Sequence, residues 1–84
     1  MNLEFKPQGY EDMRYWAETN PRKARRILEM IREIMEEPET ISPPPELLKN
    51  ELAGWYSRHI DSKHRLVYRT ERERIEIAQV RCHV

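Results

Sequence analysis

The spacing of apolar residues along the chain changes from a strand-like to a helix-like period and then back again. Leu3 and Phe5 alternate with polar neighbours, which predicts a short strand over residues 1–6. Met13, Trp16 and Ala17 then recur at helical spacing and predict a first helix from Gln8 to about Thr19. The chain therefore opens with a strand followed by a helix.

A second helix is predicted to start at Asn20-Pro21, because asparagine suits the N-cap and proline suits the first helical position. Pro38 ends it. Its apolar residues follow a period of 3.6, as expected for a helix with one buried face: Ala24, Ile27, Leu28, Ile31, Ile34 and Met35. The two helices are predicted to form a helical hairpin.

The remaining chain indicates strands. A stiff, extended arm is expected at residues 41–45, ISPPP. Strands are predicted over residues 55–60, 64–70 and 75–82. Residues 1–84 are thus expected to form one α+β domain, with a short N-terminal strand, a two-helix hairpin on one face of an antiparallel sheet and a C-terminal three-stranded meander. The other face of the sheet would be bare and available for a site.

Charge is unevenly distributed although the formal net charge is zero. Residues 1–48 hold 7 Lys and Arg against 10 Asp and Glu, whereas residues 49–84 hold 8 against 5, so the predicted strands are basic. A single cysteine excludes an internal disulfide. The start of the sequence lacks a signal-peptide pattern and no apolar run is long enough to span a bilayer, so a cytoplasmic protein without a membrane partner is expected.

Candidate chemistry comes from the alternation of side chains along the strands. Arg65, Arg81 and His83 are expected on one polar sheet face, with Glu46 at its rim. A carboxylate, an arginine and a histidine suit RNA cleavage without a metal, in which they act as base, phosphate stabiliser and acid. On composition alone this signal is weak, because arginine and histidine on a sheet face are more often solvated.

Other interpretations of the same residues stay open. His83 near the end of the sequence fits a frayed terminus, and the basic run at residues 22–26 fits a solvated helix face. His59, His64 and Cys82 suggest zinc, but no CxxC or HxxxH spacing supports a site. No metal or cofactor is therefore expected.

The order of the motifs resembles a known family. Residues 45–68 read PELLKNELAGWYSRHIDSKHRLVY, the sequence closes with VRCHV, and YWAET stands at residues 15–19. This layout is similar to the YoeB toxins of bacterial toxin–antitoxin pairs, a branch of the RelE-like fold. The similarity extends over essentially the whole chain, and HRLVY with the preceding SR-x-I is its most specific part.

The resemblance implies an mRNA interferase that cuts message in the ribosomal decoding site. By position, Glu46 matches the family's general base, Arg65 its phosphate-stabilising arginine and His83 its general acid. Lys49, Arg58 and Arg81 correspond to residues that contact RNA. The implied partners are the ribosome and mRNA, a second copy in a homodimer, and a cognate antitoxin of the YefM type with a disordered tail.

Two departures from the family pattern bear on activity. Val84 stands where the family usually has an active-site tyrosine, and ISPPP replaces a Gly- and Lys-rich loop before Glu46. Fewer basic residues weaken attraction to phosphate. Reduced cleavage is therefore an alternative, and the limiting case is an inactive toxin-like module that binds antitoxin or ribosome. A role only as a corepressor would need the antitoxin, since the chain has no helix-turn-helix signature.

Overall fold

The computed structural model describes residues 1–83 as two helices packed on one face of a five-stranded sheet. The α+β class, the helical hairpin and the antiparallel meander are confirmed. The strands lie in the order β1-β5-β4-β3-β2. The elements are β1 Asn2–Phe5, α1 Pro7–Thr19, α2 Pro21–Glu36, β2 Glu46–Leu47, β3 Tyr56–His59, β4 His64–Glu71 and β5 Arg74–His83, with short 3₁₀ turns at Pro38–Thr40 and Asn50–Leu52.

The sheet is larger than the predicted meander. Strand β1 pairs in parallel with β5, where Leu3 lies opposite Ile75. Strand β2 pairs antiparallel with β3, where Glu46 lies opposite Ser57. The alternation of Leu3 and Phe5 predicted β1 but not its parallel partner. Strand β2 is only two residues long and leaves no periodic signal in the sequence.

Helix α2 begins as predicted, because the Asn20 side chain accepts a hydrogen bond of 3.2 Å from the backbone N–H of Lys23 and Pro21 is the first helical residue. Its buried stripe is centred on Ile27 and includes Met30, which is fully buried. Leu28 was expected in this stripe, but it is half exposed. Consecutive helical residues point about 100° apart, so a stripe centred on Ile27 leaves Leu28 at its margin.

Strand β5 extends beyond the end of β1, and helix α1 packs along the part of β5 that has no neighbouring strand on that side. The Asp12 carboxylate accepts a hydrogen bond of 3.1 Å from the backbone N–H of Val80, and Trp16 Nε1 donates one of 2.7 Å to the Val80 carbonyl. These side chains satisfy buried backbone groups that would otherwise have no partner strand. Gly9 permits the approach, since a Cβ atom there would lie 2.6 Å from the Ile77 carbonyl oxygen.

The sheet face away from the helices is not bare, contrary to expectation. Val67 and Glu76 are fully buried there. The Glu76 carboxylate lies 2.6 Å from Arg69 Nε, 2.9 Å from Arg74 Nη2 and 3.7 Å from Lys6 Nζ. Long basic side chains therefore cover this face with their apolar stems while pairing with a buried acid. Within residues 1–83, neither helix has the length and apolarity to cross a bilayer.

Candidate functional site

Glu46 and Arg65 lie together on the sheet face away from the helices. Strand pairing places Glu46 opposite Ser57, and Arg65 Nη1 donates a hydrogen bond of 3.3 Å to the Ser57 hydroxyl. The same nitrogen lies 3.7 Å from Glu46 Oε1. The Glu46 side chain is 65% exposed and that of Arg65 is 19% exposed. An accessible carboxylate thus stands beside a guanidinium whose orientation Ser57 helps to fix.

Arg65 also carries a buried donor with no partner. Among the described residues, its Nε atom has no hydrogen-bond acceptor. A buried unsatisfied donor costs about 1–3 kcal/mol and therefore calls for a reason. In this position Arg65 Nη1 contacts Glu46 and Ser57, while Nε lacks the hydrogen bond that would offset its burial.

His83 is placed on the opposite face from Arg65, so the expected single polar face for Arg65, Arg81 and His83 is wrong. Arg65 pairs with Cys82, whereas His83 pairs with His64. Paired residues share a face and consecutive residues alternate, so the side chains of Arg65 and His83 leave the sheet on opposite sides at the end of the same strand pair.

Two register shifts in the β4–β5 ladder explain this difference. They fall between the pairs made by Arg65 and Val67 and between those made by Val67 and Tyr68. An extra residue in one strand interrupts the alternation. Val80 consequently faces the core, while Cys82, expected on the same face, lies on the Arg65 side.

The three predicted RNA contacts are dispersed. Lys49 follows β2 near Glu46 and is exposed. Arg58 lies beneath α2, where it donates a hydrogen bond of 3.1 Å to the Met30 carbonyl and one of 3.0 Å to Glu33. Arg81 lies against α1, with its guanidinium carbon 3.6 Å from the Tyr15 ring centroid. Among residues 1–83, the charged groups of Lys49, Arg58 and Arg81 make no hydrogen bond or ion pair with Arg65 or Glu46.

Three residues that were given no role in the site contact its predicted residues or one another. Ser57 was part of a family motif without a role, although it bonds Arg65. Asp61 was given no role and His64 was weighed only as a possible zinc ligand in a strand, yet the imidazole Nδ1 of His64 lies 3.0 Å from both Asp61 carboxylate oxygens. The D-x-x-H spacing was the available signal, because an acid three residues before a histidine across a tight turn can reach it.

The three residues that were weighed and rejected as zinc ligands are not grouped. His64 lies on the helix side of the sheet and Cys82 on the other side. Within residues 1–83, no three His, Cys, Asp or Glu side chains are arranged to hold a metal ion.

A model of YoeB-like toxins of bacterial type II toxin–antitoxin systems matches residues 5–84. The chain belongs to this family. It is 39% identical to toxin YoeB of Streptomyces coelicolor over 83 residues, which cover 99% of both chains. Toxin YoeB of Escherichia coli K12 is 36% identical, also over 99% of both chains.

Solved structures of the family have the same fold. The YoeB/ParE toxin from Agrobacterium tumefaciens is 34% identical with a TM-score of 0.90, over 100% of both chains. A YoeB-YefM complex from Staphylococcus aureus contains a chain that is 35% identical with a TM-score of 0.87, over 100% of this chain and 98% of that one. A YoeB dimer from the same organism is 36% identical with a TM-score of 0.87 and the same coverage. The RelE-like architecture expected from the sequence motifs is thereby confirmed. Val84, at the position of the family's tyrosine, lies outside the described residues.

Proposed function

We propose that this chain is a ribosome-dependent endoribonuclease toxin that cuts mRNA in the decoding site by acid–base chemistry without a metal. The observation that carries the proposal is the pair formed by the Glu46 carboxylate and the Arg65 guanidinium, which are 3.7 Å apart on a sheet face in a member of a toxin family. An acceptor for a proton and a fixed cation for phosphate charge are two of the three groups that the reaction requires.

The reaction assigns each residue one task. Glu46 removes the proton from a ribose 2′-hydroxyl, and the 2′-oxygen forms a bond to phosphorus. The bond from phosphorus to the 5′-oxygen breaks, and His83 donates a proton to that leaving oxygen. Arg65 stabilises the negative charge that develops on the phosphate oxygens. The products are a 2′,3′-cyclic phosphate and a free 5′-hydroxyl.

The placement of His83 across the sheet from Glu46 is compatible with this reaction. In an in-line displacement, the attacking and leaving oxygens lie on opposite sides of phosphorus, so base and acid must approach from opposite sides. In the sheet, β4 with Arg65 lies between β5, which carries His83, and the β3–β2 side, which carries Glu46. For the proposed reaction, a phosphate held by Arg65 must lie at the end of these strands, where the His83 side chain can reach it from the helix face around the end of β5.

RNA binding would rest on Lys49 beside Glu46 and on Arg81 near His83. In this assignment, they contact the strand on the two sides of the cut. We do not assign Arg58 a direct contact with RNA, because its side chain is 9% exposed and paired with Glu33. Its role is then to join β3 to α2.

Partner binding follows from the relatives. The Staphylococcus aureus YoeB forms a complex with YefM and also a dimer. We expect this chain to form a homodimer and to be neutralised by a YefM-like antitoxin in the cytoplasm. Leu47 and Tyr56 are exposed at the β2 edge of the sheet and offer an apolar surface to such a partner.

The test is primer-extension mapping of a reporter message in a purified translation reaction, with and without ribosomes. We expect ribosome-dependent cuts by the wild type that fade in Glu46→Ala and Arg65→Ala. Glu51→Ala is the matched control, because it removes an exposed carboxylate five residues from Glu46. Absence of cuts by the folded wild-type protein would contradict the proposal and leave the toxin-like binding module.

A further inference from the structure

A second cluster of side chains lies on the helix side of the sheet, next to His83. The imidazole of His64 stands between two other rings, with its centroid 5.0 Å from that of Trp16 and 5.1 Å from that of His83. The interplanar angles are 84° and 69°, so both contacts are edge-to-face. This arrangement, called here the histidine stack, consists of Trp16, His64 and His83.

Asp61 fixes the central ring of the stack. Its Oδ1 atom accepts hydrogen bonds of 2.7 Å from the backbone N–H groups of Lys63 and His64. Both carboxylate oxygens lie 3.0 Å from His64 Nδ1. A carboxylate only accepts hydrogen bonds, so Nδ1 carries a proton and the neutral imidazole has its lone pair on Nε2. Asp61 therefore determines both the orientation and the tautomer of His64.

Lys23 of α2 contacts both Asp61 and the Trp16 ring of the histidine stack. Its ammonium group pairs with Asp61 and lies 5.1 Å from the centroid of the Trp16 ring. Partial burial opposes ionisation of Asp61, but hydrogen bonds from Lys23, His64 and two backbone N–H groups outweigh it and hold the pKa of Asp61 well below its usual range. The carboxylate thus stays charged throughout the neutral range.

The outer ring of the stack has little else to hold it. His83 is the last described residue of β5 and is exposed. It borders an open cleft of about 410 Å³ that is lined by Gln8, Asp12, Gln79 and Arg81. Asp12 already binds the Val80 N–H, and Arg81 lies on Tyr15. The described contact that defines the direction of the His83 ring is the one with His64.

We propose that His64, held by Asp61, is a positioning residue that sets the place of the His83 imidazole for proton donation to the leaving oxygen. This inference rests on the proposed function, in which His83 is the general acid. Effective proton transfer needs a near-attack geometry, and displacement of a reacting group by about 1 Å lowers a rate by about 100-fold. Loss of the stack should therefore slow the chemical step while leaving RNA binding intact.

The experiment compares the full-length wild type with Asp61→Asn, His64→Phe and His83→Ala on ribosomes programmed with a reporter message, measuring kcat and KM separately. Asp61→Asn keeps an oxygen for the backbone N–H groups but places an amide N–H opposite His64, which favours the other tautomer. His64→Phe keeps a ring against Trp16 but loses the bond to Asp61. We expect kcat to fall about 10- to 100-fold in both, with KM within about twofold of the wild type.

Nuclear magnetic resonance of the histidine side chains tests the stack independently of cleavage. In ¹⁵N spectra of the imidazoles, His64 should show a protonated Nδ1 in the wild type and a changed tautomer in Asp61→Asn, and the ring contact between His64 and His83 should be visible as a nuclear Overhauser effect. Ser62→Ala, in the same turn, is the control for a merely structural effect and should retain the wild-type kcat.

The outcomes separate the two proposals. If His83→Ala abolishes cleavage while Asp61→Asn and His64→Phe retain the wild-type kcat, the positioning role is overturned and the proposed function stands. If His83→Ala cleaves like the wild type, the assignment of His83 as acid fails, and the positioning role fails with it. A rise in KM without a fall in kcat would also overturn the positioning role, because it would make His64 part of RNA binding.

Discussion

Arg65 Nη1 lies 3.7 Å from Glu46 Oε1, while the Nε atom of the same arginine is buried with no acceptor among residues 1–83. The guanidinium is thus held next to the carboxylate at the expense of one hydrogen bond. In the proposed function, this cost is offset by the use of the guanidinium for a ligand rather than for the stability of the fold.

Replacing Arg65 should therefore separate activity from stability. In Arg65→Met, we expect cleavage to fall by about 10²- to 10³-fold, because a cation aimed at the developing phosphate charge is lost. The free energy of unfolding should stay within about 1 kcal/mol of the wild type, because an unsatisfied buried donor is removed along with the bond to Ser57. Primer extension and chemical denaturation measure the two quantities. A loss of 3 kcal/mol or more would contradict this interpretation of Arg65.

Arg58→Met is the matched substitution with the opposite expectation. Arg58 donates to the Met30 carbonyl and to Glu33, so its loss leaves α2 without its anchor on β3. We expect the free energy of unfolding to fall by about 1.5–3 kcal/mol, the range for hydrogen bonds made by charged groups. At a temperature where both proteins are folded, kcat should be unchanged. Reduced RNA affinity in a fully stable Arg58→Met protein would show that Arg58 contacts RNA after all.

The difference between these two arginines marks the limit of the sequence analysis. Both were predicted to serve the RNA site, and only strand register separates them. Arg58 lies opposite Leu66, which faces the core, so Arg58 also faces the helices. Arg65 directly precedes Leu66 in β4 and therefore faces the opposite side of the sheet. Alternation within a strand can be predicted from the sequence, but pairing between strands cannot, because a shift of one residue reverses every face.

The helices were easier to predict for a physical reason. The N-cap Asn20, the following Pro21 and the spacing of the isoleucines in α2 are local signals that act within one element. By contrast, the register shifts in β5 and the short strand β2 depend on how one strand pairs with another and not on signals within one element. The stack of His64 and His83 depends on that same register and was missed with it.

Gly9→Ala should destabilise the protein, although alanine is the better helix former. In an exposed helix this change stabilises by up to about 1 kcal/mol. Here the new methyl group would lie 2.6 Å from the Ile77 carbonyl oxygen and 3.3 Å from that of Ala78, both backbone atoms. Helix α1 would have to move away from β5, and overpacking of this kind costs about 1–3 kcal/mol. Thermal unfolding monitored by circular dichroism shows whether Gly9→Ala lowers or raises the melting temperature.

The exposed residue Glu11, on the same helix, provides the control for Gly9. Glu11→Ala should change the melting temperature very little, because its ion pair with Arg14 is exposed and 3.9 Å long. An increase in melting temperature for Gly9→Ala would show that α1 does not approach β5 as closely as the structure indicates.

Glu76 should make stability depend on pH in the acid range. A hydrogen bond from Arg69 outweighs desolvation and, with the charges of Arg69, Lys6 and Arg74, lowers the pKa of Glu76 below its ordinary value of about 4.3. Its ion pairs therefore stabilise the fold fully above that ordinary value, and the contribution is lost as pH falls through the lowered pKa. Glu76→Gln should melt at a lower temperature than the wild type at pH 7, and the two curves should converge toward pH 2.

Glu71→Gln is the matched control for this titration. Glu71 also pairs with Arg74, at 3.0 Å, but its side chain is 46% exposed and solvent screens the pair. We expect its melting curve to follow the wild type across the pH range. A constant difference between wild type and Glu76→Gln from pH 7 to pH 2 would mean that Glu76 acts by packing and not by charge.

Strand β5 lies inside the sheet, between β1 and β4, and its free edge is sealed by α1. Every element that it joins precedes it in the chain, so a ribosome synthesises β5 only after all of its neighbours. Strands β2, β3 and β4 can pair with one another without β5, whereas β1 and the Asp12 and Trp16 side chains of α1 have no partner until β5 is present. His83, the proposed acid at the end of β5, is therefore placed only once the strand that joins β1 to the rest of the sheet has paired.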